Sequence, residues 1–139
     1  MIASLAPPLV TVGSIASIGF GVWHFFVPRI WDWNSYLDPS AAELAVAVRA
    51  INVFFSLSLV LFGLVNLLLI HHKSGSRYPV SVVLGATCVL WAARVVMQLA
   101  YPQGSMSALL RYGMLVAFSV VFLCYAAALT LVSLAEGAR

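Results

Sequence analysis

Four basic side chains lie near one end of four apolar segments, one in each segment: His24, Arg49, Arg94 and Arg111. An arginine at the centre of a membrane helix costs about 2.5–3.5 kcal/mol and less near its ends, so such a residue usually has a partner or a function. A guanidinium can hold an anionic or carbonyl-bearing group, and an imidazole can exchange a proton near neutral pH. With two neighbouring amides, the predicted ligand-binding residues are His24, Arg49, Asn52, Arg94, Gln98 and Arg111.

Other interpretations of the same residues stay open. Arg94 could extend to the membrane interface, or pair with Glu43, Asp38 or Asp32 and so fix the first link. His24 follows a tryptophan at a helix end, which is typical of an interfacial anchor. A role in proton movement is the third interpretation, with His24 as its titrating group.

Metal and haem chemistry find little support in the sequence. His24 lacks a second haem ligand, because His71 and His72 are predicted at the opposite membrane face. Those two are neighbours, so on a helix they point about 100° apart and form a poor two-point metal site. Cys88 and Cys124 lie inside apolar runs at similar depth and form no CxxC motif. We therefore predict no metal site and no haem, and we interpret both cysteines as packing residues.

The elements that position these residues are long and apolar. The 139-residue chain is 63% hydrophobic and 8% charged, whereas a soluble domain has about 25% charged residues. A helix needs about 20 mostly apolar residues to cross a bilayer. Four segments qualify: 8–27, which stops at Pro28, then 42–70, 79–100 and 108–134. The sequence predicts one all-α domain over residues 1–139, an integral membrane four-helix bundle.

The links between these segments predict the orientation. The link from His71 to Tyr78 carries Lys73 and Arg77 and no acid. The positive-inside rule places it in the cytoplasm, and both termini with it. We call the end of the bundle that carries the other two links the outer end. The charge of +3 comes from few groups, so it does not indicate nucleic-acid binding.

The first link has two local features. Trp31, Trp33 and Tyr36 are typical of an aromatic belt at a membrane interface. Ser40, with Glu43 three residues later, predicts a capping box at the start of the second long helix.

Polar and small residues recur on one face of each segment. Such stripes avoid lipid, because an unpaired polar group in hydrocarbon is costly, and small residues let helices approach closely. We expect the stripes to face one another and to leave a partly open pocket near His24, Asn52 and Arg94. The stripes are Gly13, Ser17, Gly21 and His24; Arg49, Asn52, Ser56, Gly63 and Asn66; Thr87, Trp91, Arg94, Gln98 and Tyr101; and Arg111, Phe118 and Tyr125.

Two short motifs carry a family resemblance. They are Gly-Phe-Gly-Val-Trp-His-Phe-Phe-Val-Pro over 19–28, followed by Trp31, Trp33 and Tyr36, and Trp-Ala-Ala-Arg-Val-Val-Met-Gln over 91–98. The chain resembles the DoxX-like class of small four-helix bacterial membrane proteins, and it is most similar to the uncharacterised members. The resemblance implies a multi-pass protein of the bacterial cytoplasmic membrane. Some members are linked to quinone-coupled sulfur oxidation, which implies a quinone as a ligand to consider. The matched residues are His24, Pro28, Arg94 and Gln98, and none carries over as catalytic.

Three functions follow as hypotheses. The first is a protein that binds a lipid-like or quinone-like molecule in the outer half of the bundle, as an accessory subunit of a larger membrane complex. The second is a small membrane oxidoreductase or isomerase, with His24 as acid or base and Arg94 stabilising negative charge. The third is a transporter or channel, which would require a homo-oligomer because four helices are few for a transport path.

Overall fold

Residues 5–72, 77–104 and 107–137 are described by a computed structural model of the protein, with side chains through residue 135. The helices are α1 (Ala6–His24), α2 (Val27–Ile30), α3 (Ala42–His71), α4 (Tyr78–Ala100) and α5 (Ala108–Gly137). One turn of 3₁₀ helix, Trp33–Tyr36, lies in the link between α2 and α3. The four long helices are long and apolar enough to cross a membrane. The predicted all-α fold with four apolar helices is confirmed. Lys73, one of the two cations on which the predicted orientation depends, lies outside the described residues.

The bundle is arranged around α1 and α5. Helix α1 packs most extensively on α3 and also on α5, and α5 packs on α4. Helices α3 and α4 touch each other much less. The order around the bundle is therefore α3, α1, α5, α4, with the loosest seam between α4 and α3.

Small residues on α1 permit the closest packing. A Cβ added to Gly21 would lie 2.8 Å from the carbonyl oxygen of Ser56 and 2.9 Å from Val60 Cγ2 on α3. A Cβ on Gly13 would lie 3.2 Å from the ring of Tyr125 on α5. The stripe of small residues therefore brings α1 against two neighbours, as the sequence predicts.

A buried hydrogen-bond network joins three helices at mid-bundle. Tyr125 is fully buried, and its hydroxyl donates to Ser14 Oγ at 3.1 Å. The same hydroxyl lies 3.1 Å from Ser17 Oγ, which accepts a hydrogen bond from Trp91 Nε1 at 3.1 Å. The network ties α1 to α4 and α5 and leaves these polar groups satisfied inside the apolar bundle.

A second polar contact holds α3 to α4 toward the other end of the bundle. Asn66 Nδ2 donates to Thr87 Oγ1 at 2.7 Å, and both residues are buried. The expected inward orientation of the polar stripes is confirmed along most of their length. The outermost members differ, since Arg49, Tyr101 and Arg111 are exposed.

The first long helix ends three residues before the predicted Val27. Helix α1 ends at His24, and Pro28 lies in the first turn of the short helix α2. A proline has no N–H to donate to the carbonyl four residues earlier, and its ring crowds that carbonyl. The carbonyl in question is that of His24, so the continuous helix breaks there.

The predicted capping box is wrong. Helix α3 begins after Ala41 with no side-chain cap. The backbone N–H and the hydroxyl of Ser40 both donate instead to Asp38 Oδ1, each at 2.8 Å. These bonds hold the pKa of the Asp38 carboxyl below its usual range. Since Ser40 is already bonded within the link, Glu43 has no capping partner there.

Candidate functional site

A partly open cavity of about 650 Å³ lies at the outer end of the bundle. It sits at the loose seam, where α3 and α4 diverge, and the first and third links close it above. Three of the predicted ligand-binding residues line it, namely His24, Asn52 and Arg94. Most of the remaining wall is apolar or aromatic, and includes Phe20, Trp23, Val27, Trp31, Trp33 and Phe55.

His24 stands in the cavity wall among aromatic rings. Its ring lies 4.8 Å from that of Phe55 and 5.5 Å from that of Phe20, between centroids. Its Nδ1 lies 3.5 Å from Ser56 Oγ, at the long limit of a hydrogen bond. The hydroxyl of Ser56 donates its proton to the carbonyl of Asn52 at 2.7 Å.

Asn52 supplies a hydrogen bond to the end of α1, where Pro28 leaves a carbonyl without a donor. Its Nδ2 donates to the carbonyl oxygen of His24 at 3.3 Å. That carbonyl lacks an intrahelical donor because Pro28 follows four residues later. The amide is thereby fixed in orientation, and its buried Oδ1 has no hydrogen-bond partner among the described residues. Asn52 thus has a structural bond on one atom and a free acceptor on the other.

Arg94 is half-buried in the opposite wall of the cavity. Its Nη2 donates to Gln103 Oε1 at 2.6 Å, and its guanidinium carbon lies 4.3 Å from the centroid of the Phe118 ring. Its Nε is buried and has no hydrogen-bond partner among the described residues. An amide and an aromatic face stabilise a cation but do not neutralise it.

The predicted acidic partners do not reach Arg94. Asp32, Asp38 and Glu43 are all exposed, and none of these three carboxylates is in ion-pair contact with the guanidinium. Within the described parts of the chain, the charge of Arg94 is therefore left uncompensated.

Gln98 supports the site from behind rather than lining the cavity. It is 2% exposed, and its Nε2 donates to the carbonyl of Gln103 at 3.0 Å and to that of Arg111 at 3.3 Å. Its Oε1 accepts the backbone N–H of Gln103 at 3.4 Å. These bonds fix the link between α4 and α5, and so hold the Gln103 side chain against Arg94.

The other two predicted arginines lie outside the cavity lining. Arg49 is exposed and donates from Nη2 to Asn34 Oδ1 at 3.0 Å. Arg111 is exposed and lies over the ring of Tyr112, with 5.6 Å between the guanidinium carbon and the ring centroid. The structure thus brings together one histidine, one asparagine and one arginine of the predicted set.

The two tryptophans of the first link lie between the main cavity and a second, neighbouring cavity. Trp31 and Trp33 line the main cavity and also a second one of about 520 Å³, together with Val48. Between the tryptophans, Asp32 has a left-handed backbone with φ of 43°, a conformation that non-glycine residues adopt rarely. The link therefore turns sharply at this point.

Gln103 is the site residue that the sequence analysis missed. It lines the cavity and is the hydrogen-bond partner of Arg94. Its only signal in the sequence is its place in a Pro-Gln-Gly turn directly after the helix that carries Arg94. A polar turn residue of this kind is usually solvated, so the pattern alone did not distinguish it.

The remaining candidate residues for metal or thiol chemistry are the cysteines and the other histidines. Among the residues that the structure describes, no three His, Cys, Asp or Glu side chains are grouped to hold a metal ion. Cys88 and Cys124 are free thiols, each half-buried. At the other end of the bundle, His71 is exposed, and its Nε2 lies 2.9 Å from Thr11 Oγ1.

Comparison of the chain with known protein families, curated proteins and solved structures found no relative. No protein-family model matches the chain, and no curated protein or solved structure is significantly similar to it.

Proposed function

We propose that this membrane protein binds an amphiphile in the outer cavity, with the polar end of the ligand beside Arg94 and Asn52. The observation that carries the proposal is the uncompensated guanidinium of Arg94 in the wall of a largely aromatic cavity. Unsatisfied polar groups are rare in folded proteins and concentrate where a ligand or water completes them. An anionic or carbonyl oxygen of a ligand would accept a hydrogen bond from the guanidinium of Arg94.

The remaining lining favours a ligand with an apolar body. A volume of about 650 Å³ is within the usual range of small-molecule sites. Aromatic walls with a few polar groups are also characteristic of such sites. A lipid headgroup and a quinone share the required chemistry, which is a polar oxygen on an apolar molecule. Binding, as an isolated protein or as an accessory subunit, needs only the groups that the cavity contains.

The experiment is an inventory of what the protein retains on purification. The chain is purified in mild detergent, and its organic extract and co-purifying proteins are identified by mass spectrometry. We expect a stoichiometric amphiphile, and its mass distinguishes a quinone from a phospholipid. An ultraviolet spectrum reports a quinone independently. A ligand-free protein that carries only larger partner subunits, and takes up neither class when supplied, would contradict the proposal.

A further inference from the structure

The cavity has a side opening in the surface of the bundle that faces lipid. Ile51 on α3 and Ala93 and Met97 on α4 line the cavity. The same three side chains are exposed, with Ile51 at 68% and Met97 at 51%. A residue that both lines a cavity and faces outward from a membrane helix marks a place where the cavity meets the bilayer.

The packing of the bundle explains why the opening is there. Asn66 and Thr87 hold α3 and α4 together at 2.7 Å toward the opposite end. Among the described residues, no hydrogen bond joins these two helices at the level of Ile51 and Met97. The seam between them is the loosest in the ring of long helices. The outer parts of the two helices instead line the cavity that lies between them.

The polar groups of the cavity lie deeper in the bundle than the residues at the opening. Asn52 is buried, and Arg94 is half-buried on the inward stripe of α4. The residues at the opening are apolar. A ligand that places its polar end beside Arg94 therefore has an apolar path from that end to the acyl chains of the bilayer.

From this arrangement, and resting on the proposed function, we infer that the ligand is a long-chain amphiphile that enters sideways from the membrane. Its polar end occupies the cavity, and its hydrocarbon chain leaves between Ile51, Ala93 and Met97 and stays in the lipid. The part of the chain that passes between these three residues then contributes to affinity in addition to the polar group. A water-soluble molecule with the same polar end would lack these chain contacts at the opening.

Ala93 offers a direct test, because a larger side chain there would close the opening. Ala93→Phe is compared with Ala86→Phe, seven residues earlier on the same face of α4, which is also exposed but does not line the cavity. Met97→Phe is a second closing variant in case Ala93→Phe does not fold. Monodispersity and thermal unfolding in detergent establish which variants are folded.

Binding is measured by native mass spectrometry with two pairs of probes. One pair is a benzoquinone with a decyl chain and the same ring without it; the other is phosphatidylglycerol and glycerophosphoglycerol, its deacylated form. For the pair that the wild type binds, we expect Ala93→Phe to lower the affinity for the chain-bearing probe at least about tenfold. Ala86→Phe should change that affinity less than about twofold. The chain-free probe should bind both variants as it binds the wild type.

The outcomes separate the two proposals. If the wild type binds a chain-bearing probe but Ala93→Phe and Met97→Phe bind it equally well, sideways access is wrong and the proposed function stands. Equal weakening in Ala86→Phe would overturn the inference in the same way. If the wild type binds neither chain-bearing probe more tightly than Arg94→Gln does, the proposed function fails and the inference fails with it.

Discussion

The side-chain amide of Asn52 donates to the backbone carbonyl of His24 at 3.3 Å, across the interface between α3 and α1. This contact connects a break in one helix to a polar residue in another. Pro28 removes the donor that would otherwise satisfy the carbonyl within α1. The same amide leaves its Oδ1 without a partner beside the cavity, so one residue both repairs the helix end and contributes to the site.

Asn52→Leu should destabilise the protein through the His24 carbonyl. Leaving a buried carbonyl without a donor costs about 1–3 kcal/mol. The cost should shrink in a Pro28→Ala background, because residue 28 then has an N–H that can bond within the helix. A double-mutant cycle on unfolding in detergent measures the coupling, which we expect to be at least about 0.5 kcal/mol. Strict additivity of the two substitutions would show that Pro28 and Asn52 act independently.

Arg94→Gln should weaken ligand retention and leave folding largely intact. Hydrogen bonds to charged groups contribute about 1.5–3 kcal/mol, which corresponds to roughly a 10- to 100-fold loss of affinity. The measurement is the amount of co-extracted amphiphile per protein, with thermal unfolding recorded on the same samples.

Arg29→Gln is the matched control for this substitution. It removes the same charge from an exposed position outside the cavity lining, so retention should equal that of the wild type. If Arg94→Gln instead prevents assembly while Arg29→Gln does not, Arg94 has a structural role and the proposed function loses its main support.

The fold was predictable from the sequence because a bilayer imposes simple requirements. Length and apolar composition define membrane-spanning helices, and all four predicted segments agree with α1, α3, α4 and α5 to within three residues at each end. The inward faces followed from where polar side chains recur. Helix α1 ends three residues before the predicted position, because the effect of a proline falls on the carbonyl four residues earlier and not at the proline itself.

The candidate site was less predictable than the fold. Helical periodicity gives the direction of a side chain inside a long helix, which is why Asn52 and Arg94 were both predicted to line one pocket, as they do. It does not determine where a long side chain at a helix end turns, and Arg49 and Arg111 turn outward. The partner of Arg94 is a link residue, Gln103, whose position depends on tertiary contacts made by Gln98.

Gly21→Ala should destabilise the contact between α1 and α3. The added Cβ would lie 2.8 Å from the Ser56 carbonyl oxygen and 3.0 Å from Leu59 Cβ, and backbone atoms cannot move aside cheaply. Overpacking of this kind typically costs about 1–3 kcal/mol. Gly19→Ala is the control, since a Cβ there meets nothing within 4 Å. The thermal unfolding temperature in detergent should fall for Gly21→Ala and not for Gly19→Ala, because alanine favours the helix more than glycine does. An equal fall in both variants would show that the contact with Ser56 and Leu59 is not the cause.

Tyr125→Phe should lower stability without changing ligand retention. The substitution removes the hydroxyl that contacts Ser14 and Ser17 and keeps the ring that packs against Gly13. Hydrogen bonds between membrane helices contribute about 0.6 kcal/mol on average and about 1.7 kcal/mol at most, which sets the expected loss. Tyr112→Phe, at an exposed position, should have no effect on unfolding. Because Tyr125 is absent from the cavity lining, a loss of retained amphiphile in folded Tyr125→Phe would mean that the mid-bundle network shapes the site.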